Sequence, residues 1–161
     1  IILDQNEDQK LRLNKRIIKQ FGENLSNITI AIWGLAFKKD TNDVRDAASL
    51  VAIPDLLKRG AKIRAHDPQA SEEFIREIKN KGINLTNFSI IEDQYETLND
   101  CDFLFITNDW KNYRNPDFDI LKTKLKKPII FDGKDVLDYN ILTQRKDFKY
   151  FSIGRPDIKW Y

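Results

Sequence analysis

Short apolar runs rich in β-branched residues alternate along this chain with segments whose apolar residues recur at helical spacing, and that alternation leaves few folds open. Residues 27–34, NITIAIWG, form a β-branched run closed by glycine and read as a strand buried on both faces. AKIRAHDP (61–68), FSII (88–91), DFLFITN (102–108), KPIIFDG (127–133) and FKYFSIG (148–154) read as five more strands. Between them lie helical segments at 47–60, closed by Gly60, and at 71–82, with Ser71 as cap and Gly82 as stop. Shorter helices are expected at 93–99, at 116–125 with proline at its start, and at 138–146. Pro54 falls inside the 47–60 segment, where it removes a backbone donor and should kink or divide the helix at a cost of about 3 kcal/mol. Ahead of the first strand, residues 6–21 lack Gly and Pro and place Leu11, Leu13, Ile17, Ile18 and Phe21 near helical spacing, with Gly22 as the stop. Strand–helix alternation implies right-handed crossovers and a parallel sheet covered on both sides. The expected fold is α/β: a doubly wound, mostly parallel Rossmann-like sheet with helices on both faces, preceded by an N-terminal helix.

The 161 residues carry no internal repeat, linker or low-complexity stretch, which suggests one domain with an appended arm. No uncharged apolar run approaches the roughly 18 residues of a membrane span, and the N-terminus lacks the basic and apolar regions of a signal peptide. Cys101 is the single cysteine, so an intrachain disulfide and a cysteine-rich zinc site are excluded. That usage fits a reducing, cytoplasmic location. The net charge is +2. It resides in the first 21 residues, where Lys10, Arg12, Lys15, Arg16 and Lys19 outweigh Asp4, Glu7 and Asp8, and the rest of the chain is balanced. A neutral body with a mildly basic arm argues against a nucleic-acid partner, which would call for a clustered basic face. Methionine is absent even from position 1, which is read as the mark of a piece of a longer protein.

In open α/β sheets ligands bind beyond the carboxyl ends of the strands, near the switch point of strand order. The loops of interest therefore follow Ile32, His66, Ile106 and Phe131. The first, residues 33–45, exceeds the 2–6 residues usual for a βα turn and lacks the second and third glycines of a dinucleotide fingerprint. In their place it supplies Lys38, Lys39 and Arg45, with Thr41 as a hydroxyl donor. Arginine grips phosphate oxygens in two-point fashion and lysine acts as a mobile point charge. The alternative is a solvated turn whose charges pair with Asp40, Asp43 and Asp46. The loop 131–137 brings Gly133 and Lys134 to the same edge, so two cationic loops are expected to converge on one rim as an anion site.

Other residues have plainer readings. His66, with no second His and no Cys near it, reads as structural. Asp67 stands where a Rossmann carboxylate would hold a ribose, but the missing glycines argue against that role. Cys101 has no basic neighbour in sequence and reads as a small core residue. Lys122, Lys124, Lys126 and Lys127 read as a solvated helix end favoured by the dipole, and Trp110 and Tyr113 as core.

The string Gly34-Leu35-Ala36-Phe37-Lys38-Lys39-Asp40-Thr41-Asn42-Asp43-Val44-Arg45 resembles the signature of the C-terminal domain of the UDP-glucose/GDP-mannose dehydrogenase family. Supporting pieces follow in family order: His66-Asp67-Pro68, Thr107-Asn108-Asp109-Trp110, Phe131-Asp132-Gly133-Lys134 and Ile153-Gly154-Arg155-Pro156. The resemblance covers residues 6–156, and Trp110-Lys111 with Asn115-Pro116-Asp117-Phe118 is most similar to the UDP-glucose 6-dehydrogenase branch. Such enzymes oxidise the C6 alcohol of UDP-glucose to a carboxylate with two molecules of NAD and a thiohemiacetal on a cysteine. The resemblance implies that Phe37 and Lys38 contact the UDP-sugar and that Arg45 reaches NAD held mainly by the other half of the enzyme. Lys134 falls where the family commonly has an arginine on the nucleotide sugar, which keeps the charge and loses the planar fork. It also implies that residues 1–22 end an interdomain and dimerisation helix, and that residues 23–161 form the UDP-sugar-binding Rossmann-like domain.

The family's NAD fingerprint, catalytic cysteine and its lysine and aspartate helpers belong upstream, and nothing in this chain matches them. The chain is therefore expected to hold no catalytic residue, and to reduce no NAD with UDP-glucose by itself. Its expected partners are UDP-glucose or a related nucleotide sugar and the remainder of the same polypeptide, in an enzyme that forms a homodimer. A non-catalytic UDP-sugar module, and dehydrogenases of UDP-N-acetylhexosamines or GDP-mannose, are the competing readings.

Overall fold

The computed structural model describes residues 8–36, 40–45 and 47–160. After the helix Arg12–Phe21 (α1) come Thr29–Trp33 (β1), Ser49–Lys58 (α2), Lys62–His66 (β2), Ser71–Asn80 (α3) and Phe88–Ile90 (β3). A 3-10 turn at Glu96–Leu98 leads to Phe103–Ile106 (β4), Lys111–Arg114 (α4), Phe118–Lys124 (α5) and Ile129–Asp132 (β5). Tyr139–Arg145 (α6), Lys149–Ser152 (β6) and Ile158–Lys159 (β7) complete the described chain. The strands form one seven-stranded sheet in the order β3-β2-β1-β4-β5-β6-β7. Every pairing is parallel except β6 with β7, which is antiparallel.

The period-two alternation of side chains along each strand divides the core into two layers. Ile30, Ile32, Phe103, Phe105, Phe131 and Phe151 face one way, onto Leu13 and Ile17 of α1, Ile53 and Leu56 of α2, and Phe74 and Ile78 of α3. Ala31, Trp33, Leu104, Ile106, Ile130 and Tyr150 face the other way, onto Tyr113 of α4, Leu121 of α5 and Leu142 of α6. Because both faces are covered, the central strands are apolar throughout, as a buried parallel sheet requires. The doubly wound architecture expected from the sequence is thus the one observed.

Several local details differ from expectation. Ser71 is the first residue of α3 and does not cap it with its side chain. Asp67 does related work from outside the helix, its Oδ1 accepting from the amides of Gln69 (2.9 Å) and Ala70 (2.7 Å). The expected helix at 93–99 is only the 3-10 turn, opened by Asp93 accepting from the amides of Tyr95 and Glu96. α5 starts after Pro116, with Asp117 accepting from the amides of Asp119 and Ile120. α2 runs through Pro54, which is buried. Asn14 of α1 donates to the carbonyl of Ala52 (3.0 Å) and to Asp55 Oδ2 (2.9 Å), binding α1 to the turn that contains the proline.

Candidate functional site

β1 leads outward to β2 on one side while β4 adds on the other, so the switch point lies between β1 and β4, at Trp33-Gly34 and Ile106-Thr107. In a dinucleotide binder the crevice there stays open for a pyrophosphate. Here the protein's own groups fill it. Gly34 adopts φ +106, and a Cβ on it would lie 2.3 Å from the Cβ of Asn108. The Thr107 hydroxyl donates to the Gly34 carbonyl, and Asn108 Nδ2 donates to the Ala36 carbonyl at 2.9 Å.

Asp67 is buried at this point. Its Oδ2 accepts from the amides of Leu35 (2.7 Å) and Ala36 (3.1 Å) and from Trp110 Nε1 (3.3 Å), and its Oδ1 from Gln69 and Ala70. A carboxylate has about four lone-pair sites. Those of Asp67 are spent on the loop after β1, the start of α3 and the Trp110 indole, which leaves nothing for a ribose. The switch-point crevice of this chain therefore does not fit a dinucleotide.

A cavity of about 230 Å³ opens beside it, between α1 and the carboxyl ends of β4 and β5. Leu13, Phe105, Thr107 and Gly133 line it together with the cationic residues Lys10, Arg12 and Lys134. The loop carrying Lys134 is shaped from within by Asp132, which is fully buried. Its Oδ1 accepts from the Lys134 amide (3.1 Å), and its Oδ2 from the Leu137 amide (3.0 Å) and the Tyr150 hydroxyl (2.7 Å). Lys134 itself stays exposed.

Of the residues singled out in the sequence, Lys134 lines this cavity, whereas Phe37, Lys38 and Lys39 lie outside the described residues. Arg45 is not brought to Lys134. Its side chain is 83% exposed and grips Asp43, Nε to Oδ1 at 3.1 Å and Nη2 to Oδ2 at 2.9 Å. Those hydrogen bonds hold the Asp43 carboxyl down at about 2. Arg45 borders a separate shallow depression with Asn42, Val44, Glu73 and Glu77. Of the first loop's cations, Arg45 alone lies among the described residues; it shares no cavity with Lys134, and its pairing with Asp43 is the internal pairing that a solvated turn predicts. Lys10, Arg12 and Thr107 are cavity residues that the sequence reading did not select. The signal for Lys10 and Arg12 was the +2 charge concentrated in the first 21 residues, and that for Thr107 was its place in the Thr107-Asn108-Asp109-Trp110 string.

His66 and Cys101 take their plain roles. His66 Nδ1 lies 2.8 Å from the Tyr113 hydroxyl, which also donates to the His66 carbonyl. Burial pushes the imidazole below its ordinary value, against the opposing pull of Asp67, Asp93 and the Glu92 carbonyl. Cys101 is buried, donates to the Thr97 carbonyl, and has its thiol pushed up to about 12 by burial, so it is no nucleophile. Trp110 and Tyr113 are core residues. Among the described residues no group of three His, Cys, Asp or Glu could hold a metal ion, and no helix is long and apolar enough to cross a membrane.

The strand order and the two helical layers define a doubly wound α/β domain of dinucleotide-binding topology, with a cavity at the β4–β5 rim beside a filled switch point. Residues 31–139 match the model described as UDP-glucose/GDP-mannose dehydrogenase family, UDP binding domain, and the chain belongs to that family. A UDP-glucose 6-dehydrogenase of Pseudomonas aeruginosa is 31% identical over 152 residues, covering 94% of this chain and 33% of the relative. UDP-glucose 6-dehydrogenase TuaD of Bacillus subtilis is 32% identical over 158 residues, covering 98% of this chain and 32% of the relative. This chain spans about a third of the length of such relatives. The fold is shared with a UDP-glucose dehydrogenase of Pyrobaculum islandicum (TM-score 0.67, 22% identity, 93% of this chain and 29% of that one). It is also shared with an NDP-N-acetyl-D-galactosaminuronic acid dehydrogenase of Methanosarcina mazei (TM-score 0.70, 23% identity, 92% of this chain and 29% of that one).

Proposed function

We propose that this chain is the C-terminal, nucleotide-sugar-binding domain of an NAD-dependent UDP-glucose 6-dehydrogenase, and that the diphosphate of UDP-glucose is held at the β4–β5 rim. The observation that carries the reading is the cavity lined by Lys10, Arg12 and Lys134 beside Gly133, whose own amide is spent on the Ile106 carbonyl (2.8 Å). Charge-assisted hydrogen bonds from these cationic side chains suit a diphosphate. At about 230 Å³ the cavity falls short of the ~300–1,000 Å³ of a complete small-molecule site. Phe37, Lys38 and other parts of the same polypeptide supply the remaining contacts. Lys134 contributes charge without the planar fork of an arginine.

NAD is held mainly outside this domain, a reading supported by the switch-point crevice being filled here by Asp67, Thr107 and Asn108. Arg45, exposed on the surface, is the contact this domain offers to that cofactor, whose role is to accept hydride from the sugar. The division into an interdomain and dimerisation helix at 1–22 and a binding domain at 23–161, a homodimeric enzyme and a cytoplasmic location belong to the same reading. The names of the curated relatives favour UDP-glucose over other nucleotide sugars.

In the complete enzyme, Lys134→Ala and Lys38→Ala are each expected to raise KM for UDP-glucose by about tenfold, the loss of one charge-assisted contact, with KM for NAD little changed. Arg45→Ala is expected to do the converse. Steady-state kinetics with each substrate varied in turn checks this. Equal effects on both substrates, or none on either, contradict the assignment.

A further inference from the structure

We infer that Arg155 is a positioning residue of the nucleotide site, locking the loop 132–137 so that Gly133 and Lys134 are presented to the cavity. The inference rests on the reading of that cavity as a diphosphate site. Arg155 follows β6 and is half-buried. Its guanidinium spans three acceptors: Nη1 donates to the Leu137 carbonyl and to the Tyr150 hydroxyl (3.0 Å), and Nη2 donates to the Asp135 carbonyl (2.7 Å). Its own amide is tied to Ser152 Oγ at 3.1 Å, which fixes where the side chain starts.

The loop is therefore held from two sides. Asp132 accepts the amides of Lys134 and Leu137 from below, and Arg155 captures the carbonyls of Asp135 and Leu137 from above. Tyr150 joins the two clamps, donating to Asp132 Oδ2 and accepting from Arg155. Asp135, at φ 53, accepts from the amides of Ile153 and Gly154 and so closes the ring back to the segment that carries Arg155. A left-handed aspartate persists only where its surroundings over-determine it. A planar guanidinium with donors in a fixed fork matches this set of acceptors, whereas a point charge does not. Arg155 acts on the cavity through the loop and through Lys134.

The test follows backbone amides of the chain by NMR during hydrogen exchange and during titration with UDP, for the unsubstituted chain, Arg155→Gln, Lys134→Ala and the double variant. Tyr150→Phe serves as a milder second probe, because it removes only the hydroxyl between the clamps. Arg155→Gln is expected to speed exchange at the Lys134 and Leu137 amides by about tenfold, with β5 unaffected, as for a local opening. It is expected to weaken UDP binding by about fivefold, and that loss should vanish when Lys134 is already alanine, since coupled residues are not additive. Tyr150→Phe should shift both readouts the same way, by less. Unchanged exchange in the loop, or the same loss of binding in both backgrounds, overturns the inference. If UDP, raised to millimolar concentration to allow for the contacts that the rest of the polypeptide supplies, shifts no amide of the unsubstituted chain, the nucleotide reading itself falls and takes the inference with it, a result distinguished by preceding any substitution.

Discussion

A side chain at position 34 has nowhere to go, because φ is +106 and the nearest Asn108 atom would be 2.3 Å from the new Cβ. The same crowding is what closes the switch-point crevice to a dinucleotide. Gly34→Ala is expected to cost about 2–4 kcal/mol, combining backbone strain with overpacking. Urea unfolding measures this, and a cost below about 1 kcal/mol contradicts the close packing. His66 gives a prediction of opposite character. The unfolded imidazole takes up a proton near 6.5, while the buried one does so only at lower pH. The unfolded state then binds more protons over that interval, so stability is fully present above pH 6.5 and declines as pH falls through the window. Urea midpoints compared between pH 7.5 and 5.5 should drop, and the drop should shrink in His66→Gln. An undiminished drop in that variant assigns the pH dependence elsewhere. At this scale the sequence exposed Lys134 but misread its neighbours. Lys10 and Arg12 lie far from it in the chain, and only the docking of α1 brings them to the cavity.

Helix α1 looks like an arm in the sequence, yet Leu13 and Ile17 belong to the same apolar cluster as Phe105 and Phe131. Ile17 is fully buried there, so Ile17→Ala is expected to destabilise the chain by about 2–5 kcal/mol in chemical denaturation. A helix that served only dimerisation would leave the stability of a monomeric domain nearly unchanged. The other elements show where sequence periodicity suffices. The largely apolar runs that became β1, β4 and β5 are each bounded by turn residues, so they are legible without tertiary information. α4 and β7 are too short to show any period, being 4 and 2 residues long. α2 shows the reverse limit: local rules break it at Pro54, and burial together with the Asn14 bonds to Ala52 and Asp55 holds it in one piece.

Across the whole molecule, topology follows from the alternation of elements, because crossover handedness leaves little choice once parallel strands are expected. The ligand site was less legible. Sequence places the loops after β1 and β5 at one edge, but it cannot show that Asp67 consumes the first loop's amides, or that Arg45 turns to Asp43. Those choices depend on contacts between residues far apart in the chain. They leave the neighbouring rim, and not the switch point, as the place proposed for the diphosphate, and the rest of the functional reading depends on that. Titration of the chain with UDP, mapped by backbone amide NMR, tests that claim most directly. Binding at the rim should concentrate the shifts at Leu13, Phe105, Thr107, Gly133 and Lys134, reaching Ala36 only as the chain neighbour of Phe37 and Lys38, with Asp67 little affected. Shifts centred on Leu35, Ala36 and Asp67, with none at Gly133 and Lys134, would contradict it.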